Sequence, residues 1–176
     1  MGAYRDALTE AMRLCADESN AVFLGQAVRF DGTGMHGTLR DVPMSMRIEM
    51  PVAEEMQLGI SAGLALAGAL PISIFPRINF LFRAMDQLVN HLDKLPLMSR
   101  GGWKPRMIIR TAIGTRTPLN PGPQHVGNYI DQIRAMLSTV EVVEMTETHQ
   151  VLPAYQDALK RGGVWLLVEH HGSYSL

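Results

Sequence analysis

The sequence predicts an α/β domain of three layers, with a largely parallel central sheet flanked by helices. Two observations carry this reading. Ala21-Val22-Phe23-Leu24-Gly25, Pro71 to Phe75, Arg106 to Arg110, Val140 to Val143 and Val164 to Val168 are short apolar runs of the kind that form buried strands. Segments with three- and four-residue apolar spacing lie between most of them, and strands that alternate with helices build parallel sheets covered on both faces. The 176 residues are expected to form one domain, 1–176, long enough to enclose a core and without an internal repeat or linker.

Taken in order, Tyr4, Ala7, Leu8, Ala11, Met12, Leu14 and Cys15 recur at helical spacing, and Asp17 to Asn20 end that helix. Gln26 to Arg40, with glycines at 32, 34 and 37 and little periodicity, is read as a loop. Arg47-Ile48-Glu49-Met50 leads into a helix over Pro51 to Gly68. Phe80 to Leu97 is read as one long helix with Leu81, Met85, Leu88 and Leu92 on its apolar side. Gly114 to Gln124 holds three prolines and is a loop, His125 onward is read as the start of another helix, and His149 to Lys160 as the last one.

The stretch from Pro51 to Gly68 organises the chain. Glu54 and Glu55 open it, where acidic side chains suit the positive end of a helix dipole, and Pro51 is expected in the first turn. Gly, Ala, Leu and Ile follow. Gly59, Gly63 and Gly68 would each cost about 1 kcal/mol relative to Ala in a helix interior, so a second backbone is expected against this helix. The run from Leu58 to Pro76 carries no charge and approaches the length of a membrane span. Pro71 interrupts it where the composition turns strand-like, so a buried helix followed by a buried strand is expected instead.

Composition excludes several function classes. A net charge of −1 without a basic block argues against a nucleic-acid partner. The single cysteine, Cys15, falls on the apolar side of the first helix and is expected to pack in the core. Residues 1–20 are charged throughout and hold no signal-peptide core, so a cytoplasmic location is expected, with no membrane association. His170 and His171 lack a spaced third ligand, and no metal site is expected. The glycines at 32, 34 and 37 do not lead into Gly-Lys-Ser/Thr and so do not form a phosphate loop.

Pro51-Val52-Ala53-Glu54, followed by the small-residue helix ending Ala67-Gly68, resembles the pyrimidine-binding (transketolase-like) domain of thiamine-diphosphate-dependent enzymes. The beta subunits of 2-oxoacid dehydrogenases are the nearest in pattern. L-G-Q-A-V, M-D-Q-L-V-N, M-S-R-G-G and P-G-P-Q-H extend the resemblance from Tyr4 to about Glu169.

The resemblance implies a site residue by residue. The family's glutamate, which hydrogen-bonds the pyrimidine ring nitrogen of the cofactor, falls on Glu54. That work needs a carboxylate sharing a proton where water is scarce; on spacing alone, Glu54 and Glu55 also read as ordinary first-turn acids. The family's stacking aromatic falls on Phe80, with Phe75 and Phe82 close by, and Val52 lines the same pocket. The family histidine facing the reacting end of the cofactor falls on His125, and an imidazole handles protons near neutrality. The family pattern H-S-Q is here His125-Val126-Gly127, and Ala27 stands where relatives carry an acid. His36 is read as a solvated loop residue.

By the same resemblance the protein is a stand-alone pyrimidine-binding beta-type subunit, with the carboxy-terminal domain usual in beta subunits absent. No G-D-G magnesium motif is present, so thiamine diphosphate is expected to be shared with a separate diphosphate-binding alpha-type subunit, with Mg2+ on that partner chain. An α2β2 assembly acting on a 2-oxoacid, with decarboxylation and acyl or aldehyde transfer, is the leading expectation. Ketol transfer on a ketose, as in transketolases, and a non-catalytic regulatory partner are the alternatives.

Overall fold

The computed structural model describes residues 2–117 and 120–175. The strands are β1 (Ala21–Gly25), β2 (Arg47–Glu49), β3 (Leu70–Phe75), β4 (Met107–Ile113), β5 (Glu141–Glu144) and β6 (Val164–His170). They form one sheet in the order β2-β1-β3-β4-β6-β5, and every adjacent pair is parallel. The longest register joins β4 to β6, from Met107 beside Val164 to Ile113 beside His170. The α/β fold with a parallel sheet is as expected.

Successive side chains of a strand point to opposite faces, and this builds two cores. Ile72, Ile74, Ile108, Trp165 and Leu167 meet Tyr4, Leu8 and Met12 of α1 (Ala3–Ala16) and Val151 and Tyr155 of α5 (Thr148–Arg161). Phe75, Ile109, Leu166 and Val168 meet Leu58 of α2 (Glu54–Leu66), Leu81, Leu88, Leu92, and Ile133 of α4 (Ile130–Met136). Each fully buried aliphatic side chain contributes about 1.5–3 kcal/mol by leaving water. Cys15 is one of the packing residues of the first core, and burial pushes its thiol up to about 12.

The structure departs from expectation in five places. First, residues 47–49 are a strand, not only a lead-in. The buried Arg47 donates to the carbonyls of Val28, Leu39 and Val42, which ties the 26–46 excursion down beside it. Second, α2 starts at Glu54, after an extended Ala53 (φ −151°), so Pro51 lies outside the first turn. Third, no other backbone presses on its glycines among the described residues. Gly59 faces the Gln87 side chain at 3.7 Å, Gly63 has nothing within 4 Å, and Gly68 ends the helix at φ 89°. The uncharged run does divide into α2 and β3. No helix of the described residues is long and apolar enough to cross a membrane.

Fourth, the expected long helix is not regular. Ile78–Ala84 winds as tight 3₁₀ turns, Gln87–Leu92 as a wide π-type turn, and Leu95–Met98 as one short turn of helix, α3. Leu81, Leu88 and Leu92 are nevertheless buried. Fifth, Pro123–His125 is a short 3₁₀ turn, and α4 begins only at Ile130.

Candidate active site

In open parallel sheets, ligands bind beyond the carboxyl ends of the strands, and the residues of interest gather there. The chain leaves β2 and turns into α2, which puts Glu54 on the first turn of the helix. Its side chain lies at the edge of a hollow of about 630 Å3 with Val52, Gly59, Ile60, Arg83 and Gln87. Glu54 is buried, at 8% exposure. Its one polar side-chain partner among the described residues is Gln26, whose Nε2 donates to Oε1 over a long 3.5 Å. Glu55 points to solvent. Val52 is 80% exposed.

Two neighbours hold this arrangement. Gln57, one turn along α2, donates from Nε2 to Ser73 Oγ (3.1 Å) and to the Ile74 carbonyl (3.0 Å), which fastens the helix to β3. Glu49, at the end of β2, accepts the backbone N–H groups of Ala27 (2.6 Å), Val28 (2.9 Å) and Arg29 (2.8 Å). That carboxylate clamps the turn after β1, where Ala27 sits in the left-handed region at φ 53°. A non-glycine residue there needs such external support. The clamp fixes the turn that carries Gln26.

Phe80 lines a second hollow, of about 670 Å3, whose wall also includes Gln26, Arg77, Thr115 and His171. Gln26 therefore joins the two hollows, since it lines the second and donates to Glu54 of the first. His125 meets the Phe80 ring edge-on, with centroids 5.5 Å apart, and its Nδ1 lies 3.1 Å from Asn79 Oδ1. Of the other nearby aromatics, Phe75 is in the core and Phe82 stacks edge-on against Tyr129 at 4.8 Å. Gln26, Glu49, Asn79, Arg83 and Gln87 were not read from the sequence. Gln26 and the M-D-Q-L-V-N glutamine, Gln87, lie inside quoted motifs, but Glu49 and Asn79 act through contacts that spacing does not reveal. His36 belongs to a short turn and faces Asp31 at 3.7 Å.

The fold places the chain in a class, α/β domains built on one open parallel sheet, and comparison narrows it. The family model described as "Transketolase, pyrimidine binding domain" matches residues 1–175, and the chain belongs to that family. The pyruvate dehydrogenase E1 component subunit beta of Rhizobium meliloti (strain 1021) is 30% identical over 114 residues, covering 64% of this chain and 24% of that protein. The mitochondrial subunit of the same name from Homo sapiens is 34% identical over 109 residues, covering 60% of this chain and 30% of that protein. The matches thus span less than a third of the length of each of those two relatives.

Among solved structures, a split gene transketolase described as an inactive beta4 tetramer superposes with a TM-score of 0.67 at 17% identity. It covers 94% of this chain and 50% of that one. A putative thiamin diphosphate-dependent enzyme from Mycobacterium smegmatis gives 0.64 at 14% identity, covering 98% of this chain and 31% of that one. At those identities the likeness is one of fold.

Proposed function

We propose that this chain is the pyrimidine-binding, beta-type subunit of a thiamine-diphosphate-dependent enzyme that acts on a 2-oxoacid. In this reading a separate alpha-type subunit supplies the diphosphate and Mg2+ half of the site. The observation that carries it is Glu54. A buried carboxylate on the first turn of a helix, with one long contact and no cationic partner among the described residues, has an open acceptor position. Buried carboxylates are ordinarily paired.

The residues present fit the group. An aminopyrimidine offers a ring nitrogen, an exocyclic amine and a flat face; Glu54 supplies a carboxylate, Phe80 an aromatic surface beside Gln26, and Val52 an apolar rim. When bound, thiamine diphosphate supplies the nucleophilic carbon and electron sink for cleavage beside a carbonyl. Glu54 holds or releases a proton at the pyrimidine nitrogen, and Gln26 keeps its carboxylate in orientation. Phe80 fixes the ring plane. His125, set by Asn79 and by the Phe80 edge, presents its imidazole toward the reacting side and moves substrate protons.

The exposed apolar residues Met56, Ile60 and Leu66 on α2, together with Val52, support docking of the partner subunit and an α2β2 assembly. The relatives named pyruvate dehydrogenase E1 subunit beta support a 2-oxoacid over a ketose.

The test is thiamine-diphosphate binding and turnover by this chain, by its alpha-type partner, and by the mixture. Binding by the mixture alone, with turnover abolished by Glu54→Gln while the complex still assembles, is the expected result. Full turnover by the Glu54→Gln mixture would refute the assignment of Glu54.

A further inference from the structure

The second hollow has an unusual charge balance. Arg5 and Arg77 both line it, and no aspartate or glutamate does among the described residues. Neither arginine makes an ion pair among the described residues. Arg5 Nε is buried without a hydrogen-bond partner, and so is Nε2 of His171. Burial lowers the Arg77 guanidinium from its usual range, as expected of a cation that has lost water and gained no counter-charge.

The two guanidinium groups are seated over glycines. A Cβ at Gly114 would lie 2.8 Å from Arg77 Nη1, and a Cβ at Gly37 would collide with Arg5 Nη2. At Gly114 the nearer obstacle is the His125 backbone carbonyl, whereas at Gly37 it is the flexible end of Arg5.

The charges next to the hollow do not neutralise it. Glu169, beneath it on β6, is bound by Arg110 through Nε and Nη2 and receives the hydroxyls of Tyr174 and Tyr155. That carboxylate is already balanced. His171 is held neutral: burial, together with the Arg77 and Arg110 charges, outweighs Glu169 and lowers its imidazole to about 4. It therefore offers a neutral ring nitrogen, while the positive charge of the hollow comes from arginines that do not titrate near neutrality.

We propose that this hollow, with Arg77, Arg5 and His171 converging beside the Phe80 ring, seats the anionic group of the substrate. It rests on the reading of the adjoining site given above, and it assigns to this chain the selection of an anionic substrate. The planar guanidinium fork matches a carboxylate or a phosphate with two parallel hydrogen bonds, and unpaired buried donors are the groups that such an anion satisfies. A 2-oxoacid brings a carboxylate. A phosphorylated ketose brings a phosphate.

The test uses the full chain alone, without cofactor, titrated by NMR with pyruvate and separately with inorganic phosphate, with the signals of the Arg77 and Arg5 Nε–H groups followed. Saturable shifts are expected, weakened about tenfold or more by Arg77→Gln, only partly restored by Arg77→Lys, which returns the charge without the fork, and unchanged by Lys160→Gln at the opposite end of the sheet. Preference for pyruvate identifies the carboxylate as the source, and preference for phosphate identifies a phosphorylated substrate; both support the seat. Absence of saturable binding, or binding that Arg77→Gln leaves unchanged in a folded variant, overturns it. Thiamine-diphosphate binding by the two-subunit mixture is measured in parallel. If it survives Arg77→Gln while anion binding never occurs, the seat fails alone. If anion binding holds but the mixture binds no cofactor, the cofactor reading fails alone.

Discussion

Asp93 offers a quantitative test of what holds the irregular segment after β3 in place. Its side chain is inaccessible and ends the π-type turn. Its Oδ1 accepts the backbone N–H groups of Ser138 (2.8 Å), Thr139 (2.7 Å) and Val140 (3.1 Å), and Lys94 Nζ donates to Oδ2 at 2.5 Å. Burial alone would raise this carboxyl. The Lys94 ammonium and the three N–H groups overcome that and lower it from 3.8 to about 2. At about 1.4 kcal/mol per pH unit, the ionised form contributes about 2 kcal/mol to folding.

Replacing Asp93 with alanine removes that contribution and leaves three N–H groups without their acceptor. Water reaches Ser138, which is exposed, but not Val140. The total loss at pH 7 is expected to be about 3–4 kcal/mol, read from urea unfolding. Because the folded value is depressed, the carboxylate contribution is fully present above pH 3.8 and is lost as the pH falls through about 2. Roughly half is gone by about pH 3. The stability gap between the native chain and the Asp93→Ala variant therefore narrows by about 1 kcal/mol between pH 7 and pH 3. A gap that stays constant over that range would show that the ionised carboxylate does not stabilise the fold.

Two further outcomes are expected. Glu169→Gln strips the counter-charge from Arg110, which has no access to water, and should cost about 3–5 kcal/mol in urea unfolding; a loss below about 1 kcal/mol would mean that the tyrosine hydroxyls suffice. Glu49→Gln removes the anion that clamps residues 27–29, so a loss of about 1–2 kcal/mol and weaker cofactor binding by the reconstituted pair are expected. Unchanged affinity would separate the clamp from the site.

Apolar spacing made most of the fold legible. Tyr4, Leu8 and Met12 on one side of the sheet, and Leu81, Leu88 and Leu92 on the other, are buried as the pattern requires. What spacing cannot distinguish is the turn width between such residues, and the 78–92 segment buries its leucines with 3₁₀ and π-type hydrogen bonding. The strand β2 was illegible for another reason. Its central Ile48 is exposed and its buried residue is Arg47, the reverse of the usual expectation for a strand. Its guanidinium is inside because three carbonyls accept from it.

The fold puts Val52 and Glu54 on one hollow and His125 against Phe80, and as candidates these residues were legible from the motifs that hold them. The side chains that orient them were not, because Gln26, Glu49 and Asn79 act across sequence separations that only the sheet closes. The glycines of α2 are a similar case. Gly59 and Gly63 in α2 leave a face without bulk, but composition does not say whether the surface that meets it belongs to this chain. Here Gly63 meets nothing within 4 Å, and the exposed Met56 and Ile60 lie on the same helix.

The buried and half-buried cations separate structural from functional positions. Arg47 donates to three carbonyls, and Arg110 is charge-paired with Glu169 through Nε and Nη2, although its Nη1 is buried without a hydrogen-bond partner. Arg5 and Arg77 face a hollow with no aspartate or glutamate among the described residues of its wall. Charge in a partly desolvated site is costly unless something compensates it. The fold has shown twice that it can supply compensation from its own backbone and side chains. Among the described residues it supplies none at Arg5 and Arg77, which supports the proposal that an anion from outside the chain serves them. The α2 face poses the same question in apolar form. Its answer is testable separately, because a docked subunit covers Met56 and Ile60, whereas a small anion reaches Arg77 without covering either.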